Sequence, residues 1–399
     1  MSGALKLLFI KNLVNTTCLQ RYGKSLEPWE VTLIWSFVVS IFSIGGLLGT
    51  LCAGRLTAAY GRKRCLLLNN VVAVVASVMM LLSKIAMSFE MIMVARLLYG
   101  VNAGVAVVVH AIYLVECAPK RLRGMVGVSV STFVSLGIFT GQLLGLSELL
   151  GTEELWPWLL GFSGATALLQ LATLPLLPES PRYLLLDRGD RQGCENAIRR
   201  LWGNKDHSAE LEDMLAEHNS MKGVRSHSVL ELILDQAVRW QLLTILVTFT
   251  TLQFCGINAV YLYSFEVFST AGIPTHQLRH VALGTAGVTA PLPGEIFNQS
   301  FKSAAFTVAC TINWLGLFLL GLLFPLIVEH LDYFCFLIFF LFCLLSGVFV
   351  WYNVPETKNR TIMEINAQFR MMHPIRGFSE DGITSTEFNH VKACTDTKL

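Results

Sequence analysis

Two carboxamide side chains inside a long apolar run are the first residues of this chain whose chemistry suggests a function. Gln253 and Asn258 lie in the sequence LQFCGINAVYLY at 252–263, within an apolar run at 240–265. A run of this length can cross a bilayer, which requires roughly 20 mainly apolar residues. Because an unpaired amide is costly in hydrocarbon, we expect both side chains to face the protein interior or a wet cavity.

The spacing of residues after Gln253 predicts one helical face. Positions 253, 256, 260 and 263 recur at helical spacing, so Gln253 and Tyr263 are expected on one side of a single helix. An amide, the small residue Gly256 and the hydroxyl groups of Tyr261 and Tyr263 suit a polyhydroxylated ligand. The alternative is a hydrogen bond from Gln253 to a neighbouring helix without any ligand, and this stretch alone does not decide between the two.

The composition identifies a polytopic membrane protein. Of the 399 residues, 53% are hydrophobic and only 15% are charged, whereas soluble domains carry about 25% charged residues. The basic residues lie in short loops, which disfavours nucleic-acid binding. The ten cysteines include no C-x-x-C pair and no disulfide-framework spacing. No metal cluster, phosphate loop or nucleophile triad is evident, so the sequence predicts no enzyme, no metal and no cofactor.

The elements that must position the two amides are apolar runs, which predict transmembrane helices. Eight runs are long enough, at 31–52, 65–85, 91–115, 125–146, 156–177, 240–265, 304–328 and 333–354. A ninth, at 281–297, is short and contains Pro291 and Pro293. The polar segment between the fifth and sixth runs predicts short amphipathic helices, including 194–201.

Basic residues in alternate loops predict the orientation of the chain. They follow the first, third and fifth runs, at 62–64, 120–123 and 182, whereas the loops between are acidic or neutral. The positive-inside rule places the basic loops in the cytoplasm. Residues 1–30 are then expected outside, which is consistent with N-glycosylation at the sequon of Asn15.

Two charge pairs recur at corresponding places in the two halves of the chain. Glu116 stands seven residues before Arg123, and Glu295 stands seven before Lys302. Each half also closes on a related sequence, PESPR in the first and PETK in the second. Parallel repeats of a transporter show such a pattern, and its ion pairs can hold two bundles together in one state and release them in another. The alternative is simple anchoring charge at the membrane edges.

Five motifs in this order resemble the sugar-porter signatures of the major facilitator superfamily. They are YGRKR at 60–64, ECAPKRLRG at 116–124, PESPR at 178–182, GINAVYLY at 256–263 and PETKNRT at 355–361. Nearly the whole chain resembles the facilitative hexose transporters, nearest to the class II branch that includes fructose and urate carriers. The resemblance implies an all-α membrane protein with a two-bundle helical fold, and alternating access in the plasma membrane around a monosaccharide site between the bundles.

The resemblance also implies a set of site residues. The expected substrate-binding residues are Gln142, Gln253, Asn258, Asn313, Tyr261, Tyr263, Ala290 and Trp314. The expected cytoplasmic latch consists of Arg62, Glu116, Arg123, Glu179, Arg182, Glu295, Lys302, Glu356 and Arg360. Glucose carriers of the family have a tryptophan where this chain has Ala290, and the smaller side chain leaves room for a furanose ring. Fructose is therefore the first expected substrate, glucose the second and urate the alternative.

Compared with the family, the chain is expected to be shortened, with about 8–9 transmembrane helices instead of 12. The resemblance implies that the first family helix is missing and that the sequence jumps from the eighth to the tenth at 285/286. The predicted domains are an extracellular segment at 1–30, an N-terminal bundle at 31–182, a cytoplasmic helical linker at 183–239, a C-terminal bundle at 240–354 and a cytoplasmic tail at 355–399. The shortening leaves an alternative function, a non-transporting isoform that associates with the full-length carrier or dilutes it.

Overall fold

A computed structural model gives the architecture of the chain. It describes residues 2–23, 26–119, 122–146, 149–203, 229–256, 299–331 and 334–355, together with 211, 212, 214, 215, 258, 368, 369, 371 and 372. The ninth apolar run, at 281–297, and the 285/286 junction lie outside these residues.

Eleven α-helices make up the described part of the chain. They are α1 Ser2–Tyr22, α2 Pro28–Tyr60, α3 Arg62–Ser83, α4 Phe89–Cys117, α5 Arg123–Leu144, α6 Trp156–Thr173, α7 Arg191–Trp202, α8 Val229–Leu234, α9 Arg239–Phe254, α10 Gln299–Leu331 and α11 Cys335–Asn353. Three short turns accompany them, two of 3-10 type at Leu174–Leu176 and Gln236–Val238 and one π-helical at Tyr183–Asp187. A helix is present at each of the eight predicted runs, which confirms the all-α fold.

Six helical segments of the described chain are long and apolar enough to cross a membrane. They are Pro28–Tyr60, Arg62–Ser83, Phe89–Cys117, Trp156–Leu176, Thr307–Val328 and Cys335–Asn353. The protein is therefore a multi-pass membrane protein. α9 is only 16 residues long and falls short of a full span.

Helices α2 and α4 pack unusually close because glycines line their contact. A Cβ atom added at Gly100 would lie 2.0 Å from the carbonyl oxygen of Phe42, and one added at Gly49 would lie 2.3 Å from that of Val101. Small residues at a helix contact let the two backbones approach, which is the main source of packing energy between helices in lipid.

Arg96 of α4 is a charged residue that contacts α2. Its guanidinium donates to the carbonyl oxygens of Val38 at 3.1 Å and Val39 at 3.0 Å, and it lies 5.4 Å from the ring centroid of Phe42. Backbone carbonyls and an aromatic face thus compensate the charge, since an uncompensated arginine at this depth would cost several kcal/mol.

The N-terminal segment forms a packed helix. Ile10, Leu13 and Val14 of α1 are buried against Val38 of α2 and Ile92 of α4. These positions recur at helical spacing, so a sequence of mixed polarity still presents one apolar face. The location of residues 1–30 outside the membrane stays a prediction.

The segment that follows α6 has a small apolar core of its own. Cys194 and Ile198 of α7 are buried with Leu185, Leu211 and Met214. Burial, with the nearby carboxylates of Glu195 and Asp190 adding to it, raises the pKa of the Cys194 thiol to about 11. The thiol is therefore neutral and packs as a small apolar group. The predicted run at 194–201 is helical, within α7.

The chain divides into two compact units. Unit 1 comprises Met1–Gly223, Gly256–Ala290 and Trp314–Phe336, and unit 2 comprises Val224–Cys255, Pro291–Asn313 and Leu337–Leu399. These units differ from the halves predicted at 31–182 and 240–354. One cause is visible within unit 1, where Trp314 and Gly321 of α10 pack on α2.

Candidate functional site

A pair of carboxamides lies inside unit 2, and we call Gln253 and Asn313 the amide pair. Nε2 of Gln253, in the last turn of α9, donates a hydrogen bond to Oδ1 of Asn313 on α10 at 2.8 Å. The Gln253 side chain is 1% exposed, and Asn313 is half-buried. The hydrogen bond from Gln253 to a neighbouring helix, expected as the alternative to a ligand contact, is therefore present. The residue that accepts it, Asn313, is itself a predicted sugar contact.

Contacts between α9 and α11 fix the turn of helix that carries Gln253. The hydroxyls of Thr251 and Ser346 are hydrogen-bonded to each other, and the rings of Phe254 and Phe342 stack with centroids 4.8 Å apart. These contacts lie one or two residues from Gln253 on either side. The amide is thus held by its neighbours as well as by Asn313.

The predicted single helical face does not continue from Gln253 through Gly256. The α-helix ends at Phe254, and Gly256 follows with φ +87°. A positive φ is readily adopted only by glycine and ends a right-handed helix, so the helical spacing beyond Gln253 no longer describes one face. The predicted contacts Tyr261, Tyr263 and Ala290 lie outside the described residues.

The other two predicted amides belong to unit 1. Gln142 is half-buried in the last turn of α5, and Asn258 is half-buried just beyond the end of α9. The structure thus brings two of the four predicted amides into direct contact, Gln253 and Asn313.

Trp314, also in unit 1, is held by three residues that the sequence analysis did not single out. Its indole Nε1 donates to Oγ1 of Thr50 at 2.8 Å, and its ring meets that of Phe42 edge-on with centroids 6.0 Å apart. A Cβ atom added at Gly46 would lie 2.3 Å from Cε3 of the indole. We call Phe42, Gly46 and Thr50 the indole seat. A sequence signal exists in the small-residue run GGLLGT at 45–50.

Charged residues gather at one end of unit 1, where α2, α4 and α6 end and α3 begins. Arg62 donates to Glu116 at 2.9 Å and to Asp187 at 2.7 Å, and its guanidinium lies 4.9 Å from the ring centroid of Tyr183. The Arg62 and Glu116 side chains are only 15% and 13% exposed, whereas Asp187 is 48% exposed. We call Arg62, Glu116, Glu179, Ser180 and Asp187 the ionic cluster.

Two carboxylates of the ionic cluster also bind neutral groups. Glu116 accepts a hydrogen bond from the hydroxyl of Ser180. Glu179 accepts from the backbone N–H of Lys63 at 2.9 Å and from that of Ser180 at 3.0 Å. The Lys63 N–H lies in the first turn of α3, where a carboxylate satisfies an unpaired donor and interacts favourably with the helix dipole.

Gly61 makes the turn that delivers Arg62 to this cluster. It has φ +87° between α2 and α3, and a Cβ atom added there would lie 2.7 Å from the Tyr183 ring and 2.9 Å from Oε2 of Glu179. Both the backbone conformation and the lack of space therefore require glycine at this position.

Of the nine predicted latch residues, the structure brings three into this cluster, Arg62, Glu116 and Glu179. Arg182 lies half-buried next to the π-helical turn, while Arg123 and Lys302 lie in α5 and α10 without described side chains. The remaining three, Glu295, Glu356 and Arg360, fall outside the described residues. Ser180, Tyr183 and Asp187 were missed, although the first belongs to the PESPR motif.

The predicted glycosylation site lies on α1. The Asn15 side chain is exposed, whereas Thr17 of the same sequon is buried and its hydroxyl donates to the carbonyl of Met87 at 3.4 Å. Glycosylation of Asn15 stays a prediction. Among the described residues, no three His, Cys, Asp or Glu side chains come together as metal ligands do.

Comparisons with known proteins agree on one family. The "Sugar (and other) transporter" family model matches residues 6–290 and 279–369. Facilitated glucose transporter member 9 of solute carrier family 2 from Mus musculus is 38% identical, over 90% of this chain and 80% of its own length. Member 5 from Bos taurus is 36% identical over 95% and 90%, and member 11 from Homo sapiens is 36% identical over 92% and 88%.

Solved structures show the same fold. The proton:xylose symporter XylE of the major facilitator superfamily, bound to 6-bromo-6-deoxy-D-glucose, superposes with a TM-score of 0.63 over 92% of this chain and 97% of its own. The inward-open xylose transporter XylE from E. coli gives the same score and coverage, and both are 19% identical to this chain.

The alignments also show that the relatives have residues that this chain lacks. The alignment to member 9 extends over 431 positions, more than the 399 residues of the chain, and the family model matches in two pieces that overlap at 279–290. With the family model covering most of its length and relatives above 30% identity, this chain belongs to the sugar transporter family.

Proposed function

We propose that this protein carries a monosaccharide across the plasma membrane by facilitated diffusion through alternating access, with fructose as the first substrate and glucose as the second. The observation that supports this most strongly is the amide pair of Gln253 and Asn313, buried between apolar helices. Membership of the sugar transporter family supports the same class of cargo.

The chemistry of the amide pair suits a neutral, hydroxyl-rich ligand. Each carboxamide carries two N–H donors and a carbonyl acceptor, so one group can both give to and receive from a sugar hydroxyl. The bond between the two side chains fixes their orientation before a ligand arrives, which reduces the entropy lost on binding. Both groups of the pair are uncharged, which favours a neutral sugar over an anion such as urate.

Uptake into proteoliposomes tests the proposal. Purified protein should take up radiolabelled fructose in a saturable way, with glucose as the better competitor and urate as the weaker. Gln253→Ala should strongly reduce uptake at low fructose concentrations, because it removes the amide from the pair. Gln241→Ala is the matched control, since Gln241 is also a buried amide on α9 but lies three turns away. Loss of uptake in both variants, or in neither, would contradict the role of the pair.

A second candidate function has its own support. The alignment that is longer than the chain and the family match in two pieces favour an isoform that lacks part of the C-terminal bundle. Such an isoform would carry nothing, and would instead associate with the full-length carrier or dilute it. Uptake by the wild-type protein at the level of empty liposomes, together with co-purification of a tagged full-length carrier, would favour this function over transport.

A further inference from the structure

The indole of Trp314 is held from three sides by one stripe of α2. Phe42, Gly46 and Thr50 follow one another at intervals of four residues and therefore lie on the same face of the helix. Phe42 touches the ring edge-on, Gly46 lies under its six-membered ring, and Thr50 accepts its N–H. The Trp314 side chain is 7% exposed, so little of the ring is left to solvent.

The hydroxyl of Thr50 does two things at once. It accepts the indole N–H of Trp314 at 2.8 Å and donates to the carbonyl oxygen of Gly104 on α4 at 3.3 Å. A hydroxyl has one donor and two acceptor sites, so this arrangement orients its lone pair towards the indole. The position of the ring is thus tied to α4 as well as to α2.

Position 46 requires glycine because a larger side chain would overlap the Trp314 ring, and not because of its backbone conformation. Its built Cβ would lie 2.3 to 2.5 Å from three carbon atoms of the indole, which no ring in this position could tolerate. Gly54, two turns further along the same helix, has nothing within 4 Å of its built Cβ. A glycine in the middle of a helix costs up to about 1 kcal/mol relative to alanine, so its presence at position 46 reflects the packing of the ring.

From this geometry we infer that Gly46 and Thr50 are positioning residues of the sugar site, which act by fixing the indole of Trp314. The inference rests on the proposed function, sugar transport, and on Trp314 as a substrate-binding residue, which the family resemblance predicts. Neither residue needs to touch the sugar. Their effect reaches the substrate through the orientation of one large aromatic ring, of which only a small part is exposed for contact with a sugar.

The test separates sugar affinity from the amount of folded protein. Fructose uptake is measured in proteoliposomes for the wild type and for Thr50→Val, which keeps the shape of the side chain and loses the hydroxyl. The half-saturation concentration should rise about three- to tenfold, the equivalent of one ordinary hydrogen bond. The amount of folded protein is measured by its monodisperse elution in detergent. The maximal uptake rate, divided by that amount, should stay within about twofold of the wild-type value.

Two further variants serve as controls. Thr50→Ser retains the hydroxyl and should restore the wild-type half-saturation concentration. Gly46→Ala should raise that concentration, whereas Gly54→Ala, in open space on the same helix, should leave it unchanged. A merely structural role would lower the yield or the maximal rate without moving the half-saturation concentration.

The outcomes separate a failure of the proposed function from a failure of the positioning role of Gly46 and Thr50. If the wild type takes up no sugar, the proposed function fails and this inference fails with it. If the wild type transports and Thr50→Val has the same half-saturation concentration as Thr50→Ser, the proposed function stands and the positioning role is overturned. The threonine pair decides this even if Gly46→Ala does not fold.

Discussion

The ionic cluster of unit 1 and the amide pair of unit 2 are two ways of placing polar groups in a mostly apolar protein. The ionic cluster joins full charges, with Arg62 bound to both Glu116 and Asp187, and it lies at the ends of helices. The amide pair joins two neutral groups by one hydrogen bond of 2.8 Å between apolar helices. The charges lie where three helices end and one begins, whereas the amides join the last turn of α9 to the middle of α10.

The difference follows from the cost of removing each kind of group from water. Transfer of an ion into a medium of low dielectric constant costs several kcal/mol even after relaxation, whereas a hydrogen-bonded amide costs far less. The charges of the ionic cluster accordingly keep contact with solvent through a partly exposed partner, Asp187. A neutral pair can lie deeper, where it can contact a sugar without binding ions.

The largest effect is expected from breaking the ionic cluster. Glu116→Ala leaves the half-buried guanidinium of Arg62 without its better-buried partner, and should lower the free energy of unfolding by about 3 kcal/mol. Unfolding of the purified protein by a denaturing detergent measures this value. Asp187→Ala is the matched control and should cost less than about 1 kcal/mol, because that carboxylate is 48% exposed. Equal losses in the two variants would show that burial does not set the strength of these ion pairs.

A smaller effect is expected from breaking the amide pair. Gln253→Leu or Asn313→Leu leaves one buried amide without its described partner, and each should lower the free energy of unfolding by about 1 kcal/mol. The double variant should lose less than the two single variants together, since no amide is then left behind. The same unfolding assay completes this cycle, and strictly additive losses would mean that the two side chains are not coupled.

The smallest effect concerns the hydroxyl contact that holds α9 against α11. Thr251→Val removes the bond to Ser346 while keeping the shape of the side chain, and should cost about 0.6 kcal/mol, the average for such bonds between membrane helices. Thr248→Val is the control, because the Thr248 hydroxyl bonds to the carbonyl of Thr244 in its own helix. A loss in the control as large as that in Thr251→Val would assign the effect to the helix rather than to the contact.

Hydropathy predicted most of the fold because helices in a bilayer must be apolar over a fixed length. It placed a helix at all eight runs, but it gave no sign of the break near Gly256, which interrupts the helix without interrupting the apolarity. It also gave no helix for the N-terminal segment. Only the spacing of Ile10, Leu13 and Val14 reveals the buried face of α1.

The sequence could predict single residues of the candidate site from their chemical type, but not the contacts between them. Gln253 and Asn313 could be named separately, but their bond joins residues 60 apart in the chain and depends on how α9 meets α10. The Thr50–Trp314 bond joins residues 264 apart, and the role of Gly46 is visible only once the ring is placed beside it. Sequence motifs identify candidate site residues, whereas the residues that position them, such as Gly46 and Thr50, are often small and belong to no motif.

The central claim is that the amide pair acts as one unit in binding the sugar. Fructose uptake into proteoliposomes by the wild type, Gln253→Leu, Asn313→Leu and the double variant tests it most directly. We expect each single substitution to raise the half-saturation concentration at least about tenfold, and the double variant to be no worse than either single variant. A double variant that transports fructose with the wild-type half-saturation concentration would contradict the account.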